Sequence, residues 1–150
     1  MSLWHKINKK FRQWQKLAPW ERLILVRVTI YLPIAWLSLR LLSFTTLQRL
    51  SHRALSTHFT ESMPTVADTA YAQRCAELTA IAARHCLPSG SCLPQALVLC
   101  RFLRKKGLDA QLRIGVKPGT HSVQAHAWVE YRTQALNQEE THYHVFPTLG

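Results

Sequence analysis

Acid is scarce in this chain: eight Asp and Glu stand against nineteen Lys and Arg among 150 residues, a formal charge of +11. Glycine is scarce too, at five, while 47% of the residues are hydrophobic, which excludes disorder over most of the length. The four cysteines, Cys75, Cys86, Cys92 and Cys100, include no CxxC pair, and the last two fall on one predicted helix. A disulfide framework and a zinc site are therefore set aside, and no metal or cofactor is expected. No RNA-recognition, helix-turn-helix or zinc-finger signature accompanies the basic charge, so nucleic acid is not an expected partner. No signal-peptide pattern opens the chain, which gives a reducing cytoplasm as the expected location. Nor is there an uncharged apolar run of membrane-spanning length. Within residues 23–44 the longest uncharged piece, Val28 to Leu39, falls short of the roughly 20 apolar residues a span needs. That segment is expected to be a buried or membrane-surface helix.

What the chain does have is a basic, tryptophan-rich first third. Ten cations between Lys6 and Arg53 face a single acid, Glu21. Trp4, Ile7, Phe11, Trp14 and Leu17 recur at helical spacing. A second helix is predicted from Pro19 to about Leu42, kinked near Pro33, and a third from Thr45 or Thr46 through about Ser56. Residues 57–66 read as a polar linker. The expected organisation is a basic helical region over 1–60 and a second domain over 61–150.

That second part begins with a helix over Ala67–Cys86. A turn over residues 87–91 then delivers Cys92 into a well-defined helix ending near Lys106. Ser91 is its expected cap, Pro94 sits in the first turn, and Gly107 takes the left-handed position at the end. The period then changes to two. Ala110 to Val116 and Val123 to Tyr131 read as strands, with a turn over Arg132–Gln134, a short strand at Ala135–Leu136 and a last one over Tyr143–Phe146. Helices followed by an antiparallel sheet make an α+β fold.

Cys92 is placed where a helix N-terminus favours the thiolate, and where backbone N–H groups can receive an oxyanion. Among eight histidines, His126 is the expected base. It lies on a strand predicted to pack beside the helix, projecting with Trp128 and Glu130 away from the Ala125, Ala127 and Val129 face. Trp128 reads as a wall of the cleft or a core aromatic. Cys75, Cys86 and Cys100 read as packing residues. The bland alternative makes Cys92 and His126 packing residues as well.

"SCLPQALVLCRFLRKKGLDAQLRIGV", followed by "AHAWVEY" and "ALNQ", resembles the stand-alone leader peptidases of lasso-peptide biosynthesis, a transglutaminase-like cysteine protease family. The resemblance covers residues 89 to about 149 and extends less specifically to "LAPWERLILVRV" and "LRLLSF". It implies Cys92 as nucleophile and His126 as base. The family places an aspartate after the histidine strand; here Gln138 holds that position, with Glu139 and Glu140 as neighbouring alternatives. The resemblance also implies a substrate, the leader segment of a lasso precursor peptide. Implied partners are a separate leader-recognition protein and an ATP-dependent cyclase. Two other readings stay open: a peptide-binding module that has lost the acid, and a membrane-surface or scaffold protein acting through residues 1–53.

Overall fold

The computed structural model describes residues 15–41, 65–89, 91–118, 123–136 and 144–145. These form three helices, α1 (Pro19–Leu41), α2 (Val66–Cys86) and α3 (Cys92–Lys105), and four strands, β1 (Ala110–Pro118), β2 (Val123–Tyr131), β3 (Gln134–Ala135) and β4 (His144–Val145). The strands make one antiparallel sheet in the order β3-β2-β1-β4. The α+β expectation holds. The helices expected over 2–17 and 45–56 lie outside the described residues, apart from residues 15–17.

α1 begins where the sequence places it. The Glu21 carboxylate accepts the Ala18 N–H at 2.7 Å, and Arg22 Nε donates to the Leu17 carbonyl at 3.0 Å. The first closes an N–H that the helix start leaves open, and the second ties down a carbonyl just ahead of it. Glu21 is buried and paired with Arg74 of α2, an ion pair that staples the two helices. Arg74 and the Ala18 N–H together hold that carboxyl below the usual carboxylate range. Pro33 lies inside the helix, on an exposed face where water can serve the carbonyl its ring leaves unpaired. The 23-residue helix is long and apolar enough, by length and composition, to cross a membrane. The apolar-run argument misses this because Arg27 and Arg40 interrupt the run without ending the helix.

α2 starts at Val66, within what reads as linker. Thr65 and Asp68 form a capping box: the Thr65 hydroxyl accepts the Asp68 N–H, and the Asp68 carboxylate accepts the Thr65 N–H. Ala72, Cys75, Leu78, Thr79 and Ala82 lie on its inner side. Burial pushes the Cys75 thiol up to about 11.

α3 ends in a Schellman motif. Gly107, at φ +86°, donates to the Arg104 carbonyl at 2.9 Å, and Leu108 donates to Leu103 at 3.1 Å. The left-handed residue expected there is the one found. The core runs from Ile24, Val28 and Leu32 of α1 through Leu78 of α2 and Leu99 and Leu103 of α3 to Val129 and Tyr131 of β2. α3 is therefore packed between the other helices and the sheet.

Candidate active site

Cys92 is the first residue of α3 and half-buried. At helical spacing it heads the stripe Ala96, Leu99 and Leu103, all buried. No acidic side chain occupies the first turn. Ser91 stands at the cap position, but its hydroxyl is turned back and donates to the Pro88 carbonyl at 2.8 Å. The expected side-chain cap is thus absent. The first-turn N–H groups, which carry the positive end of the helix dipole, are not taken up by that hydroxyl.

The alignment of α3 on the sheet is set at its far end. Cys100 Sγ donates to the Ala110 carbonyl at 3.4 Å, and Arg104 Nε donates to the same oxygen at 2.7 Å. Burial pushes the Cys100 thiol up to about 11, which keeps it a donor. From that clasp β1 runs back along the helix. Eight residues of helix, Cys100 to Cys92, span about 12 Å. Four residues of strand, Ala110 to Ile114, span about 14 Å. By nominal rise alone, a strand running straight back along α3 would reach the helix mouth near Ile114 and Gly115. Their ladder partners on β2 are Ala127 and His126.

The pleat of β2 divides its side chains as the period-two pattern predicts. Ala127, Val129 and Tyr131 enter the core with α3. His126 and Trp128 stack on the other face, ring centroids 6.1 Å apart and planes within 10°. Trp128 is 5% exposed, and its indole N–H donates to Glu130 Oε1 at 3.2 Å. The other carboxylate oxygen accepts Arg113 Nε at 2.7 Å from the neighbouring strand. One carboxylate thus fixes the indole on which the imidazole lies. Burial, with Lys117 nearby, holds His126 below the ordinary histidine value, which favours the neutral ring.

Cys92 heads the stripe of α3 that packs on the core, whereas His126 projects with Trp128 from the other face of the sheet. Gln138, Glu139 and Glu140 lie outside the described residues. Sequence reasoning overlooks Gly115, across the ladder from His126, and the Arg113–Glu130 pair. A glycine inside a strand pattern, which marks a close approach, is the signal for the first. Among the described residues no cluster of His, Cys, Asp and Glu could hold a metal ion.

A family model described as the transglutaminase-like superfamily matches residues 34–149, well over half of the chain. The chain belongs to that superfamily, which includes cysteine proteases. No curated protein and no solved structure matches it.

Proposed function

We propose that this protein is a cytoplasmic cysteine peptidase that removes the leader from a lasso-peptide precursor. It would act beside a separate leader-recognition protein and an ATP-dependent cyclase. What supports the reading is Cys92 as the first residue of a helix, with His126 on a strand of the adjoining sheet, within a transglutaminase-like domain. The "SCLPQALVLC" and "AHAWVEY" segments, which resemble leader peptidases, supply these two residues.

In the proposed reaction His126 takes the thiol proton, and the Cys92 sulfur attacks the scissile carbonyl carbon. The oxyanion of the tetrahedral intermediate is received by N–H groups at the start of α3. Collapse breaks the C–N bond, His126 gives its proton to the leaving amine, and the leader remains as a thioester on Cys92. Water, deprotonated by the same imidazole, then releases the leader acid and restores the thiol. Gln138 would orient His126 through its amide oxygen. Proton transfer requires the imidazole, which projects from the sheet face opposite Ala127 and Val129, to come within hydrogen-bond reach of the sulfur, directly or through one bridging water.

The test is precursor cleavage followed by mass spectrometry, with the recognition protein present. Wild type is expected to release the leader, and Cys92→Ala to abolish release while still binding precursor. Cleavage by Cys92→Ala at the wild-type rate overturns the reading. The amide at Gln138, where the resembled family has an aspartate, keeps one rival open, a peptide-binding module. That rival gains if wild type binds precursor and never cleaves it.

A further inference from the structure

α1 is apolar on two opposite faces. Ile24, Val28 and Leu32 enter the core. Leu23, Ile30, Ile34, Leu37 and Leu41 lie on the other side at helical spacing, and all are exposed, Ile30 at 56% and Leu41 at 74%. A helix that is apolar all round belongs inside a protein or against lipid. One face of α1 already meets the first condition, and among the described residues nothing covers the second.

We propose that this outer face seats the protein on an anionic lipid bilayer, with α1 lying in the plane of the interface. Charge is the first argument for lipid. Residues 1–53 carry ten cations against Glu21 alone, and Glu21 is already held by Arg74. Such a basic segment beside an apolar helix face matches an anionic membrane surface. The aromatic rings are the second. Trp20 and Tyr31 are exposed beside the stripe, and Arg40 lies over the Trp36 ring at 5.0 Å. Such rings and long cations suit the headgroup layer, where an apolar body and a polar tip are both accommodated. A span across the bilayer is excluded by the inner face, which is buried against α2 and α3 and stapled through Glu21. A second copy fits poorly. Two-fold contact of the same face would bring a second set of Arg27 and Arg40 cations onto the same patch, with no exposed acid on α1 to pair them.

The experiment is vesicle flotation of the intact chain, and it is independent of any catalytic role for Cys92. Vesicles of phosphatidylcholine alone are compared with vesicles containing about one third phosphatidylglycerol. The chain is expected to float with the anionic vesicles only, and less at high salt. Ile30→Glu/Ile34→Glu, both at exposed positions, is expected to reduce flotation about tenfold or more. Arg27→Gln/Arg40→Gln leaves the apolar surface intact and is expected to reduce it as well; this variant decides if the first does not fold. Failure of the wild type to float overturns the proposal, and so does flotation unaffected by either variant. A dimer in light scattering that Ile30→Glu/Ile34→Glu splits, without any flotation of the wild type, would make the face a contact between copies and also overturn it.

Discussion

Gly115 stands directly across the β1–β2 ladder from His126. Opposed residues of an antiparallel pair project their side chains to the same face, with Cβ atoms about 5 Å apart. A glycine there puts no side chain of its own beside the imidazole, and the position is buried. Gly115→Ala and Gly115→Val are therefore expected to slow leader release in graded fashion, the second by roughly tenfold or more, through displacement of the ring. Rates measured beside precursor affinity check this, because the effect should fall on turnover more than on binding.

The four thiols should differ in reactivity. Cys75 and Cys100 are buried, and burial pushes both up to about 11. Alkylation by iodoacetamide at neutral pH is expected to modify Cys92 well before either, because thiolate is the attacking form. Peptide mapping after short exposures reads the order. Equal labelling of Cys92 and the two buried thiols would contradict it.

His126 is expected to titrate below the ordinary histidine value, since burial and Lys117 both disfavour its charged form. The folded state then binds fewer protons than the unfolded chain just below pH 6.5. Stability is complete above that pH and declines as pH falls through the window down to the depressed value. Thermal melts from pH 7 to pH 5 should show the decline, and His126→Asn should flatten it. Proton NMR should place this imidazole at the acid end of the histidine set.

The β2–β3 turn carries strain. Arg132 and Thr133 both have positive φ, 53° and 60°, a conformation costly for a β-branched residue. Arg132 reaches Thr69 of α2, whereas the Thr133 hydroxyl bonds only locally, to the Arg132 carbonyl. Thr133→Gly is expected to stabilise the protein by about 0.5–1 kcal/mol, read as a raised denaturation midpoint.

Elements built by strong local rules are legible in the sequence. The helix from Cys92 and its stop at Gly107 follow from apolar period, Pro94 and a residue free to take positive φ. The β1 and β2 strands follow from strict alternation, which also places His126, Trp128 and Glu130 on one face. Less visible are features that leave no periodic signal, whether their partners are three residues away or fifty. The capping box at Thr65 hides in a polar stretch after Pro64. The Ser91 hydroxyl turns to Pro88 because a carbonyl three residues back competes with the helix N–H groups. The Glu21–Arg74 staple joins residues 53 apart, and no periodicity announces such a pair. Gly115 and the Arg113–Glu130 pair emerge only once the strand register is known.

The clasp of Cys100 and Arg104 on the Ala110 carbonyl makes the short connection after α3 a ruler. One residue inserted between Gly107 and Ala110 would either slide the sheet along the helix by about 3 Å or invert the pleat. Sliding would shift His126 relative to Cys92; inversion would send Trp128 toward the interior and Val129 outward. Length variation among relatives should therefore collect in the β1–β2 hairpin, residues 119–122, and spare residues 107–110.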